Sequence, residues 1–269
     1  MKKSKKIPSI ALISALIFFL YLPLVIMAIF SFNDSTSLSV WEGFSFCWYA
    51  DLIDNSSMID AIKVSLSVGI IATFVSVVLG TMTAIGLSKN KKVVRSMLLQ
   101  ANNIPIMNPE IVTAVSLMIF FSFLGMEKGY TTLLLAHIAF CTPVVITNVY
   151  PKVKQLDPNL ADAAMDLGAS PFQALIKVII PQIKPGIFTG ALMSFTMSFD
   201  DFIISYFVTG NGVENISIVI YNMTKRTNPS VYALSTIVLV VVLCAVLIGT
   251  IVPMMVKKRR RLVRNEQNV

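Results

Sequence analysis

The chain has 269 residues, of which 55% are hydrophobic and 13% charged, with a formal net charge of +8. A soluble domain carries about 25% charged residues, so the composition excludes an ordinary water-solvated domain and makes lipid the expected solvent. Its three cysteines, Cys47, Cys141 and Cys244, have neither zinc nor CxxC spacing and imply no disulfide framework.

A bilayer core about 30 Å thick needs roughly 20 apolar residues in a helix. Residues 7–32 carry no charge. The flank of Lys2, Lys3, Lys5 and Lys6 looks like a signal-peptide n-region. The apolar run is too long for an h-region and no A-x-A site closes it, so it reads as a first transmembrane helix. The loop over 33–60 is acidic (Asp34, Glu42, Asp51, Asp54, Asp60) and aromatic (Trp41, Phe44, Phe46, Trp48, Tyr49). An interfacial aromatic belt and a docking surface for an outside partner both fit it. Further spans are expected at about 64–88, within 96–126, within 129–150, at about 185–208 and at about 231–256. All six must be helices, because an isolated span satisfies its own backbone hydrogen bonds in lipid.

Lys and Arg give the orientation. With both termini on one side, that side receives the N-terminus, 89–95, 151–184 and the tail from Lys257. These hold four, four, four and six basic residues, 18 of the chain's 22. The other side keeps Lys63, Lys128, Lys225 and Arg226. The positive-inside rule puts both termini in the cytoplasm. The basic charge therefore reflects topology and argues against a nucleic-acid partner. The tail 257–269 begins KKRRRLVR, a stop-transfer anchor suited to anionic lipid.

The third and fifth spans hold acids. Glu110 lies 15 residues from Arg95 and 17 from Glu127. Asp200 lies 16 residues from Lys184, about 24 Å along a helix. Ionisable residues at such depth are functional-site candidates by default. No Lys or Arg in a span stands ready to neutralise Glu110, Asp200 or Asp201. Three arrangements fit: protonation or hydrogen bonding within the bundle, a base on another subunit, or a wet path that meets a cationic substrate. Adjacent helical residues diverge by about 100°, so one of the two aspartates can be structural. ANNIPIMNPE (101–110) puts Pro105 and Pro109 inside the third span, where a kink or break is expected beside a cavity.

The long inner loop, 151–184, is patterned. Asp157 can cap a helix that starts at Pro158. Leu160, Ala163, Ala164 and Leu167 share one face, and Gly168 can end the helix in the left-handed conformation. Ser170-Pro171 begins a second helix, which Pro181 and Pro185 are expected to close. A short amphipathic helix of this kind suits a groove on another protein; lying flat on the bilayer or packing under the bundle fits as well.

DAAMDLGASPFQALIKVIIP (162–181) resembles the EAA loop of ABC-transporter importer permeases. The family pattern is Glu-Ala-Ala, three residues, Gly, nine residues, Ile-x-Leu-Pro. Here Asp162, Ala163, Ala164, Gly168, Val178, Ile180 and Pro181 keep the spacing, with Asp for Glu, Val for Ile and Ile for Leu. The resemblance implies that Asp162, Ala163, Ala164, Gly168 and Pro181 belong to a coupling helix seated in a partner ATPase. None of the 12 glycines is followed by lysine, so the chain has no Walker A loop. ATP and its Mg are expected on the partner, with no cofactor in this chain and no enzymatic activity of its own.

NPEIVTAVSL, AHIAFCTPVVITNVY, SFDDFIISYFVTG and NPSVYALSTIVLV are similar to spermidine/putrescine importer permeases of PotC type. That resemblance implies a single all-α permease domain over 1–269 with the MetI-like architecture of type I ABC importers, in a bacterial inner membrane. It also implies a second permease, two ATPase subunits and an extracytoplasmic polyamine-binding protein. Glu110, Asp200 and Asp201 would then offer negative charge to a polyamine in transit. Another cargo on the same machinery, or an autonomous secondary transporter, is the alternative.

Overall fold

The computed structural model describes residues 6–37, 39–210, 212–226 and 228–244. The basic tail 257–269 and the far part of the sixth expected span lie outside them. Among the described residues every regular element is helical, with one isolated bridge between Asn33 and Phe44. Four helices are long and apolar enough to cross a membrane, and a bent pair can supply a fifth crossing. The chain divides into residues 1–56 with 220–269, and residues 57–219.

In the first unit, α1 (Lys6–Phe30) carries the most apolar segment, and none of that segment is buried within the chain. The loop after it folds around one asparagine. Asn33 donates to the Val40 carbonyl (2.6 Å), accepts from the Glu42 N–H (2.9 Å) and accepts through its own carbonyl from Trp48 Nε1 (2.7 Å). Phe32 packs its ring within 5.2–5.4 Å of Phe44, Phe46 and Tyr49. The aromatic loop is thus a self-packed cluster running into α2 (Cys47–Asp54). Asp51 on α2 accepts from Ser230 (2.7 Å), at the start of the apolar helix Ser230–Cys244.

The second unit is built on α3 (Ser56–Ser88), α6 (Tyr130–Lys154) and α9 (Ile180–Asp200). Lipid offers no hydrophobic drive for helices to associate, so small residues that admit close backbones decide the contacts. On α9 the buried positions after Ile183 are Gly186, Gly190, Ser194 and Ser198, a stripe at every fourth residue. A Cβ on Gly190 would meet the Val145 Cα at 3.3 Å, and one on Gly186 would meet the Asn148 carbonyl at 3.1 Å. A Cβ on Gly80 of α3 would sit 2.7 Å from the Val145 side chain. Val145 of α6 is therefore clasped between glycines of α3 and α9.

Two spans are broken. Helices α4 (Lys92–Met107) and α5 (Glu110–Phe123) bend by 102° at Asn108–Pro109. The third expected span is thus two helices, broken where its prolines predict a kink or break. Pro105 stays inside α4, while Pro109, with extended backbone at Asn108, makes the break. Asn102 holds α4 to α6, donating to the Pro143 carbonyl and Thr147, each at 3.2 Å. The expected fifth span, at about 185–208, is interrupted as well: α9 stops at Asp200 and α10 (Ile203–Val208) follows. The last helix of the unit's chain order, α11 (Ile216–Lys225), begins where the Ser65 hydroxyl accepts from the Ile216 N–H at 2.8 Å.

Candidate substrate path and coupling surface

Asp201 has extended backbone (φ −62°, ψ 127°), which ends α9. Its carboxylate then turns back over the next helix. Oδ1 accepts from the Ile204 N–H (3.3 Å), and Oδ2 accepts from the Ser205 N–H and hydroxyl, each at 2.7 Å. The Asp201 side chain thus caps α10 from one residue before its N-cap position, Phe202. The carbonyls freed at the break find partners too. Asn215 donates to the Asp201 carbonyl (2.9 Å) and Ser217 to that of Asp200 (3.3 Å).

A buried polar chain continues from this cap into α6. Ser198 lies 2.6 Å from His137 Nδ1, and Ser205 lies 3.1 Å from Nε2. Ser205 gives its one proton to Asp201 and accepts from Asn215 (2.8 Å). Its remaining role toward His137 is acceptor, so Nε2 carries the proton and Nδ1 accepts from Ser198. The imidazole is 3.6 Å from the Asp201 carboxylate. His137, Ser198, Ser205 and Asn215 are all buried. Sequence reading did not select these four, because each alone is an ordinary polar residue; a lone histidine in an apolar run was the available signal.

Asp200, next in the chain, is exposed where Asp201 is buried. It faces a cavity of about 530 Å³ lined by Glu110, Asp200, Asp201, Asn108, Thr113, Phe140 and Phe202 among others. The two breaks thus bring all three acids selected from the sequence to one cavity. No Lys or Arg lines it.

The loop between α6 and α9 holds a second surface. Asp157 accepts from the Asn159 N–H (2.9 Å) in a tight turn, and α7 (Leu160–Asp166) starts two residues later than expected from Pro158. Gly168 is left-handed (φ +88°) and ends that turn of chain, as its position predicts. Ser170 caps α8 (Pro171–Ala174), with Gln173 returning a bond to the Ser170 N–H at 3.1 Å. Pro181 and Pro185 do not close this helix. A π-helical turn over Leu175–Ile179 carries it into α9, so residues 171–200 run as one span. The wider turn relaxes the backbone ladder just where Pro181 has no N–H to give. Asp162, Ala163, Gly168 and Pro181 are exposed and Ala164 is half-buried. Beside them Leu167 is 90% and Phe172 71% exposed, an apolar tip that this chain leaves uncovered.

Residues 76–261 match the family described as binding-protein-dependent transport system inner membrane component. The chain belongs to this family. It is a membrane-embedded transport component, not an enzyme. It is 37% identical over 244 residues to the spermidine/putrescine transport system permease protein PotC of Escherichia coli K12, covering 89% of this chain and 91% of that protein. It is 33% identical to the putrescine transport system permease protein PotI of the same strain, covering 82% of each. A crystal structure of a bacterial ABC transporter involved in the import of alginate superposes with a TM-score of 0.74 at 14% identity, over 93% of this chain and 98% of that one. The fold is the MetI-like permease fold of ABC importers. Within it the loop of 157–181 and the acid-lined cavity are the two surfaces whose chemistry the fold alone does not explain.

Proposed function

We propose that this permease is the membrane subunit of an ATP-driven polyamine importer in a bacterial inner membrane. Its cavity is a station on the cargo path, and the observation that carries this reading is the meeting of Glu110, Asp200 and Asp201 in a cavity without a lysine or arginine. Polyamines are flexible polycations. Carboxylates give them Coulomb attraction, and the faces of Phe140 and Phe202 give cation–π contact. Asp201 has its oxygens engaged by α10, so Asp200 and Glu110 carry most of the contact with cargo. The names of the PotC and PotI relatives support the same cargo class.

In this reading the domain is single, 1–269, with six spans, the sixth beginning in Ser230–Cys244, and both termini cytoplasmic with the tail 257–269. A second permease, two ATPase subunits and an extracytoplasmic binding protein complete the machine. Segment 151–184 couples them: Asp162, Ala163, Ala164, Gly168 and Pro181 shape it, and Leu167 and Phe172 enter the ATPase cleft. The test is uptake of labelled spermidine into vesicles carrying the assembled complex, with ATP hydrolysis read in the same samples. Uptake that Asp200→Asn and Glu110→Gln reduce, with hydrolysis near normal, supports the path. Uptake unchanged in both variants removes the cavity from the path. A hydrolysing complex that ignores spermidine even unmutated requires a different cargo. Uptake by the chain without any ATPase would make it a secondary transporter.

A further inference from the structure

A second cavity, of about 410 Å³, opens where the end of α3, the start of α4, the end of α6 and the segment 156–179 meet. Its polar lining is Lys89, Arg95, Lys154, Tyr150, Ser88 and Asp157. Three cations thus face one carboxylate, and one oxygen of that carboxylate already takes the Asn159 N–H. None of the three cations has an ion pair among the described residues. The Tyr150 hydroxyl, half-buried, makes no hydrogen bond among them either. Ser88 donates to Ile85 and keeps its lone pairs. The deeper wall is apolar: Ile85, Val153, Leu175 and Ile179.

Unneutralised cations grouped around a concavity, with a free hydroxyl donor and an apolar floor, form an anion site of an identifiable kind. We propose that this cavity binds a phosphate-bearing anion, held by Lys89, Arg95 and Lys154 with the Tyr150 hydroxyl as a further donor. The cavity lies at the basic ends of α3 and α6, where the orientation proposed above puts the cytoplasmic headgroup layer. The phosphate can belong to an anionic phospholipid whose glycerol rests on the apolar floor, or to a soluble phosphate ester. The bound anion touches the segment that leads into α7 through Pro158 and Ala161. It would therefore stiffen the base of the proposed coupling helix.

The test is binding, read apart from transport. The purified full chain in mixed micelles of phosphatidylglycerol and phosphatidylcholine is analysed by native mass spectrometry. A parallel arm titrates glycerol 3-phosphate and inorganic phosphate. Phosphatidylglycerol retained in preference to phosphatidylcholine, with Lys89→Gln plus Arg95→Gln lowering retention about thirtyfold, assigns the lipid source; the factor is two surface basic contacts expressed as affinity. Saturable binding of the soluble phosphates, lost in the same variant without any lipid preference, assigns the soluble source. Lys177→Gln plus Lys184→Gln removes equal charge from exposed positions outside the cavity and should retain the ligand, as should the charge-keeping Lys89→Arg. Equal losses in the two charge-removal variants, or no preference for either probe, overturns the proposal. Neither outcome touches the polyamine reading, whose test is uptake.

Discussion

The adjacent aspartates should separate under mutation, although their sequence context is nearly the same. Asp201→Ala leaves three donors without an acceptor: the Ile204 N–H, the Ser205 N–H and the Ser205 hydroxyl. Losing an N-cap costs about 0.5–2 kcal/mol, and each buried donor left unpaired costs roughly 1–3 kcal/mol. Water entering the cavity and rotation of the Ser205 hydroxyl toward His137 recover part of this. The expected loss is about 2–4 kcal/mol for alanine and about half that for asparagine, which keeps one acceptor oxygen. Asp200→Asn should cost less than about 0.5 kcal/mol, as an exposed substitution does. The assay is thermal unfolding of the purified protein in detergent beside spermidine uptake. Asp201→Ala should lower the midpoint by on the order of 5–10 °C and lose uptake together with folded protein. Asp200→Asn should keep its midpoint and lose uptake alone. Equal destabilisation by the two substitutions, or a stable Asp201→Ala that selectively loses uptake, would refute the division of roles.

Glycines on one helix should respond differently. Gly80→Ala puts a Cβ 2.7 Å from Val145 and should cost roughly 1–3 kcal/mol by overpacking, whereas Gly86→Ala, with nothing within 4 Å, should be neutral or stabilising by up to about 1 kcal/mol; melting curves of the two variants give the comparison. His137→Phe removes both ring nitrogens from Ser198 and Ser205 and should destabilise by about 1–3 kcal/mol, with Ser198→Ala added to it recovering part of the loss in a double-mutant cycle. Leu167→Asp, at a position 90% exposed, should leave the melting midpoint unchanged and lower transport-linked ATP hydrolysis in the assembled complex; unaltered hydrolysis would take α7 out of the coupling surface.

The parts of this fold legible in the sequence are those set locally. Apolar runs mark α1, α3, α6 and α9 because lipid imposes length and polarity on each span separately. Gly168 and Ser170-Pro171 mark ends of short helices because caps are made by residues next to them. Pro109 marks a break for the same reason. The break at Asp201 carries no such sign. SFDDF has neither proline nor glycine, and its extended backbone is held by Asn215 and Ser217, 14 and 17 residues further on. Pro181 misleads in the opposite direction: a π-helical turn, which no residue pattern announces, lets the helix pass through it. The stripe of Gly186, Gly190, Ser194 and Ser198 could have been read from its four-residue spacing.

The cavity also explains how a lipid-solvated segment holds carboxylates without basic partners. Each acid-bearing break is followed by a new helix, and an acid stands at its start. Glu110 is the first residue of α5, and Asp201 caps α10. Helix N-termini present unpaired N–H groups and a partial positive charge, which favour a carboxylate there. Breaking the span therefore creates the acceptor-hungry end that the acid then occupies. Asp201 uses this fully, through three hydrogen bonds. Asp200 follows the opposite logic: as the last residue of α9 it sits at the negative end of a helix, with no following helix for its carboxylate to cap. Unlike Asp201, whose oxygens are held by α10, it keeps its charge open to the cavity and to a passing cation. A binding partner that must also be released is best met by such a group, because the attraction is long-ranged while the number of fixed hydrogen bonds stays small.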